Sequence, residues 1–127
     1  MNMEEKNKKK ILVGEDEKAI AGALQNKLAF EGFDVVLAEN GEEVLKAIEK
    51  EKFDLLLLDL IMPKLDGFAV LKEMKEKKII LPVIITSNLG QEEDKKRVEE
   101  LGVADYLIKS NVSIMDIVLK IKEFLKI

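Results

Sequence analysis

Residues Phe53-Asp54-Leu55-Leu56-Leu57-Leu58-Asp59 decide the fold. Four consecutive leucines leave no polar face, so they read as a strand buried on both sides, the pattern of a parallel sheet covered by helices. Such a strand ends in something small or polar where the chain leaves the core, and this one ends on the carboxylate of Asp59. In open parallel α/β sheets, ligands bind beyond the carboxyl ends of the strands. The plainer reading of Asp59 is a residue that caps or turns the chain, and one carboxylate alone does not displace it.

Working outward, Lys10-Ile11-Leu12-Val13-Gly14 is a short apolar strand followed at once by Glu15-Asp16. Residues 17–31 then carry Ile20, Leu24 and Leu28 at helical spacing. Taken singly, either acid of the pair is only favourable charge at a helix start, worth a few tenths to ~1 kcal/mol. Residues 33–38 form a second strand, and Asn40 caps a helix with Glu43 placed to reciprocate and Val44, Leu45 and Ile48 as its buried stripe. After Asp59, residues 60–67 are a loop and residues 68–77 a helix packing through Phe68, Leu71 and Met74. Residues 80–87 are a fourth strand, with Pro82 tolerable only near its start. Residues 91–101 form a helix offering mainly Val98 and Leu101 to the core, so it is expected to be the most weakly anchored. A fifth strand, 105–108, closes on Lys109, and Ser113 caps a last helix with Ile114, Ile117, Val118, Ile121, Phe124 and Leu125 inward. On that helix Met115 and Leu119 make a second apolar stripe, expected to be a partly covered core edge. Strand and helix alternate five times, which predicts one α/β domain over 10–127 built as a doubly wound parallel sheet with helices on both faces. Residues 1–9, polar and rich in lysine, are expected to be a frayed tail.

The composition limits the chemistry. The 127 residues include no cysteine and no histidine, which removes disulfides, thiol catalysis, the usual zinc ligand and the usual neutral-pH base. A formal net charge of -4 argues against nucleic-acid binding by this domain. No apolar run reaches membrane-spanning length and the start does not read as a signal peptide, so no membrane partner and a cytoplasmic location are expected. Lysine supplies every basic residue except Arg97.

Three strand ends therefore carry Glu15-Asp16, Asp59 and Lys109, and a fourth carries the hydroxyl of Ser87. If they converge, two like charges ~4 Å apart cost about 4 kcal/mol at an effective dielectric near 20. A hard divalent cation held by oxygen ligands is the usual relief. Carboxylates, a metal, a lysine and a hydroxyl together suit phosphoryl transfer, with Asp59 as a nucleophile that forms an acyl phosphate.

The chain resembles the receiver domain of two-component response regulators, of the single-domain, chemotaxis type. The resemblance rests on Ile11-Leu12-Val13-Gly14-Glu15-Asp16-Glu17, Asp59-Leu60-Ile61-Met62-Pro63-Lys64-Leu65-Asp66-Gly67, Pro82-Val83-Ile84-Ile85-Thr86-Ser87 and Tyr106-Leu107-Ile108-Lys109, and it covers nearly the whole length. It implies a flavodoxin-like (βα)5 sheet in the order 2-1-3-4-5. It implies that Asp59 accepts a phosphoryl group from a histidine kinase or phosphotransfer protein. Asp16 and Asp59 would bind Mg²⁺ directly together with the Ile61 carbonyl, and Glu15 mostly through water. Ser87 would bond the phosphoryl oxygen, Lys109 would pair with it, and Tyr106 would move inward as Ser87 is drawn over. Counted from Pro82, the switch hydroxyl is Ser87, which leaves Thr86 facing away from the site. An unidentified downstream protein would dock on the face made by the fourth helix, fifth strand and fifth helix. Such a domain is no conventional enzyme; it promotes its own phosphorylation and a slow dephosphorylation.

Three positions depart from the family pattern. Ser110 replaces the proline that usually follows the lysine with a cis bond, and without proline the cis form costs ~3–4 kcal/mol, so a trans Lys109–Ser110 bond is expected. Asn88 stands where a smaller residue is commoner, and Gly14 where a bulkier one is usual. Other classes fit less well. A receiver-like interaction module that is never phosphorylated would not need Glu15, Asp16, Asp59, Ser87 and Lys109 together. An aspartate-nucleophile phosphatase places a second acid two residues after the nucleophile, where this chain has Ile61. A flavin carrier would need a Ser/Thr/Gly-rich phosphate loop after the first strand.

Overall fold

The computed structural model describes residues 8–89 and 92–127. Strands β1 (Lys10–Gly14), β2 (Asp34–Ala38), β3 (Leu55–Asp59), β4 (Val83–Ser87) and β5 (Asp105–Ile108) form one sheet in the order β2-β1-β3-β4-β5. Every neighbouring pair is parallel. Helices α1 (Lys18–Phe30), α2 (Gly41–Lys50), α3 (Gly67–Glu76), α4 (Glu92–Glu100) and α5 (Ile114–Leu125) alternate with the strands, and a 3-10 turn, Lys109–Asn111, joins β5 to α5. This is the flavodoxin-like order that the resemblance implied.

The four leucines of β3 sit at the centre of the sheet, between β1 and β4, and none is more than 1% exposed. Leu55 and Leu57 join Ile11, Val13 and Ile84 in a layer closed by Leu24 and Leu28 of α1 and by Ile117, Val118 and Ile121 of α5. Leu56 and Leu58 face the other way, with Leu12, Val83 and Ile85, against Val44 of α2, Leu71 and Met74 of α3 and Val98 of α4. Burial on both faces, at roughly 1.5–3 kcal/mol for each fully buried leucine, accounts for a strand with no polar alternation.

Side chains fix the helix starts. Asn40 accepts the Glu43 N–H at 2.9 Å, Asp66 accepts that of Ala69 at 2.9 Å, and Ser113 forms a reciprocal capping box with Asp116. Because Asp66 caps it, α3 begins at Gly67, one residue before the expected start, and Val70 joins Leu71 and Met74 in the core while Phe68 is half-buried. Strand β4 starts at Val83, not at residue 80: Ile80 is 98% exposed, and Pro82, which has no N–H to donate, ends the approach. Gln91, the expected first residue of α4, lies outside the described residues, as do residues 1–7 of the expected tail.

Helix α4 buries only Val98. Its other ties are polar or cationic: the Arg97 guanidinium lies 3.8 Å from the centre of the Phe68 ring, and Lys95 Nζ lies 5.9 Å from that of Tyr106. Such contacts are worth ~0.5–1 kcal/mol each at exposed sites. No peptide bond among the described residues is cis, so Lys109–Ser110 is trans, as expected without proline.

Candidate functional site

The carboxyl ends of β1 and β3 are neighbours in register, Gly14 opposite Leu58, so the next residues along each strand, Glu15 and Asp59, meet at one edge. Both are buried, while Asp16 is exposed on the path into α1. Glu15, Asp16 and Asp59 each offer a carboxylate oxygen within 4.8 Å of the others. Lys109, at the end of β5, reaches across β4 to both buried acids, with Nζ 2.8 Å from Asp59 Oδ2 and 2.5 Å from Glu15 Oε1. The Ile61 N–H donates to the second Asp59 oxygen at 3.2 Å. Glu15 Oε1 is within ion-pair distance of Lys109, yet no donor is aligned on it as a hydrogen bond.

One ammonium does not balance three carboxylates. Burial, reinforced by the neighbouring Asp59 charge, raises the Glu15 pKa to about 7, although Lys109 pulls the other way. Burial pulls the Lys109 ammonium down, but Asp59 and Glu15 outweigh it and hold the pKa above its usual range. A buried, hydrogen-bond-poor carboxylate beside two others is a donor set suited to a hard cation with oxygen ligands, which supplies the missing positive charge.

Ser87 is fully buried at the end of β4, and its hydroxyl accepts the Leu89 N–H at 3.1 Å. Tyr106, half-buried on β5, donates its hydroxyl to the Leu89 carbonyl. Burial raises the Tyr106 pKa, with a hydrogen bond to Ser87 opposing. Ser87, Leu89 and Tyr106 thus form one hydrogen-bonded group beside the acids.

Thr86 does not face away from the site, contrary to the sequence reading. It pairs in register with Asp59, it is buried, and with Glu15 and Lys109 it lines a hollow of about 210 Å³ between α1, β4 and α5. The physical reason is register: Ile84, paired with Leu57, lies in the layer of Leu55 and Leu57, and Thr86, two residues further along, is paired with Asp59. The parity was present in the sequence; the missing information was the β3–β4 register. Two of the departures are also placed. The space a side chain at Gly14 would take is filled by Val44 Cγ2 and Leu58 Cδ1, which would lie 2.9 and 3.0 Å from an added Cβ. Asn88 is exposed at the rim, with Ile61 57% exposed and Leu89 half-buried beside it.

Known proteins share this fold. The profile of the response regulator receiver domain matches residues 11–122. The alkaline phosphatase synthesis transcriptional regulatory protein PhoP of Bacillus subtilis is 45% identical over 101 residues, which is 80% of this chain and 42% of that protein. The chain therefore spans under half the length of that curated relative. The receiver domain of Francisella response regulator 1452 superimposes with a TM-score of 0.86 at 35% identity, covering 93% of this chain and 97% of that one. The phosphorylated cyanobacterial phytochrome response regulator RcpA gives a TM-score of 0.79 at 33% identity, covering 92% and 93%.

Proposed function

Because the chain belongs to the receiver domains of response regulators, we propose that it is a phosphorylation-operated signalling switch whose phosphoacceptor is Asp59. One observation carries this reading: the Asp59 carboxylate ends the central strand, held on one oxygen by Lys109 and on the other by the Ile61 N–H, within 4.8 Å of oxygens from Glu15 and Asp16. In the reaction, an Asp59 oxygen forms a bond to the phosphorus of a phosphohistidine on a histidine kinase or phosphotransfer protein. The phosphorus–nitrogen bond breaks, and the histidine nitrogen leaves with the electron pair. Glu15, Asp16, Asp59 and the Ile61 carbonyl would hold Mg²⁺, which when bound offsets the charge shared by the acids and the phosphoryl oxygens. Lys109, already 2.8 Å from Asp59, is positioned to pair with the group that arrives. Ser87 then trades its Leu89 partner for a phosphoryl oxygen, and Tyr106 follows through the same Leu89. The α4–β5–α5 face would carry the change to a downstream protein.

The test is intact mass after incubation with Mg²⁺ and a small acyl phosphate donor. The expected result is a gain of one phosphoryl group that disappears in chelator and in Asp59→Asn. An equal gain on Asp59→Asn overturns the assignment.

The rim sets how long the signal lasts. Hydrolysis needs a water in line behind the phosphorus, and a polar side chain there orients it where an apolar one does not. Ile61 and Leu89 flank the approach, and both are apolar. Slow self-dephosphorylation is therefore expected. Ile61→Asn with Leu89→Glu should speed it by ~10-fold, about 1.4 kcal/mol of barrier. The loss of phosphorylated mass after donor removal measures this; a parent half-life of seconds, or no acceleration in the double variant, would refute rim control.

A further inference from the structure

The sole arginine of the chain has a place that the phosphoacceptor site does not explain. Arg97 projects from α4, a helix with one buried residue, and its guanidinium covers the ring of Phe68 at 3.8 Å. A flat guanidinium stacks on an aromatic face in a way that an ammonium does not. Lys10, Lys27 and Lys95 also lie over aromatic rings, but at 5.7, 5.0 and 5.9 Å from the ring centre, against 3.8 Å for the one arginine.

Phe68 is tied closely to Asp59. Gly67, the preceding residue, donates its N–H to the Leu60 carbonyl at 2.8 Å, and a Cβ on Gly67 would lie 2.6 Å from the Asp59 carbonyl oxygen. Asp66 caps the same turn through the Ala69 N–H. The first turn of α3 thus has little room to move independently of the Asp59 backbone. A second contact joins α3 to α4 further along, where Lys75 Nζ donates to the Glu100 carbonyl at 3.1 Å.

We propose that Arg97 is a positioning residue that makes α4 follow α3 when Asp59 is phosphorylated, a route additional to the Ser87–Leu89–Tyr106 group, to which α4 is tied through Lys95 over the Tyr106 ring. The proposal rests on the function proposed above. Phosphorylation shifts the Asp59 loop, the rigid Asp66–Gly67 turn passes the shift to Phe68, and the stacked guanidinium passes it to the middle of α4. Apolar burial at Val98 alone would leave the helix free to slide.

The experiment compares the parent, Arg97→Ala, Arg97→Lys, Phe68→Leu and the Arg97→Ala/Phe68→Leu double variant, each with and without Mg²⁺ and acyl phosphate donor. Three signals are read: intact mass, emission of the single tyrosine, Tyr106, and amide hydrogen exchange of the α4 peptide. In the parent, phosphorylation should change α4 exchange by at least about threefold. Arg97→Ala should gain the same mass and keep the Tyr106 change, while its α4 response falls to less than half. Phe68→Leu should give the same loss, the double variant no more, and Arg97→Lys only partial recovery. A merely structural role would alter α4 exchange equally before and after phosphorylation and leave the response ratio intact, which overturns the proposal, as do additive losses in the double variant. Mass gain in the parent with no change in α4 exchange overturns it while leaving the phosphoacceptor reading standing. No mass gain in the parent overturns both.

Discussion

Lys109→Met should lower the unfolding free energy by about 3 kcal/mol at pH 8 in chelator, because removing one partner of a buried ion pair leaves the others uncompensated. Here two buried carboxylates, Glu15 and Asp59, lose the same ammonium, whose side chain is only 11% exposed. The loss should depend on pH in a defined direction. Glu15 holds its proton up to about pH 7 in the folded protein but only to about 4.5 when unfolded. The folded state therefore binds more protons between these values, and stability falls as pH rises through them. Lys109 restrains that shift, so its removal raises the Glu15 pKa further and extends the decline to higher pH. At pH 4 the cost of Lys109→Met should be much smaller. Mg²⁺ should restore part of it at pH 8, since a ligand that binds only the folded state stabilises by mass action. Denaturant titrations at pH 4, 6 and 8, with and without Mg²⁺, give the comparison. A loss that is the same at all three pH values, or under 1 kcal/mol at pH 8, would show that Lys109 is not the counter-charge of the cluster.

A second large effect is expected at Gly67. Its Cα approaches the Asp59 carbonyl and Leu60 Cα so closely that an added Cβ would lie 2.6 and 2.7 Å from them, and both are backbone atoms with little freedom to yield. Gly67→Ala should destabilise by about 3 kcal/mol, the upper part of the range for overpacking, and should slow phosphoryl uptake by displacing Asp59. Gly22 is the control. It lies inside α1, where an added Cβ would meet nothing within 4 Å. Gly22→Ala should stabilise by roughly 0.5–1 kcal/mol through helix propensity and a less flexible unfolded chain. Thermal and denaturant melts of both variants test the contrast; a neutral Gly67→Ala would mean that the turn after Asp59 is looser than its geometry implies.

The fold was legible because its strongest signals are local. The run Leu55–Leu58 states two-sided burial without reference to any other segment, and Asn40 and Ser113 announce helix starts through their own side chains. The acids and Lys109 were legible for a related reason: each closes a strand, and parallel strands bring their carboxyl ends to one edge. What the sequence left out depends on pairings between segments. Thr86 enters the site only through its register with Asp59, which no count along a single strand reveals. The start of β4 slipped by three residues because Ile80 and Leu81 look like strand, and only the fold shows Ile80 standing in solvent. Phe68 was placed in the α3 stripe by periodicity, yet its ring is shared with an arginine from the next helix, a contact with no local signature.

The side chain that carries the phosphoryl group defines the switch, and chemical trapping locates it directly. After incubation with Mg²⁺ and an acyl phosphate donor, borohydride reduces an aspartyl phosphate to homoserine, and peptide mass analysis finds the converted residue. Conversion is expected at Asp59, in the peptide that contains the four leucines, and none in Asp59→Asn. Conversion at Asp16, or a phosphorylated protein in which Asp59 survives reduction unchanged, would contradict this assignment.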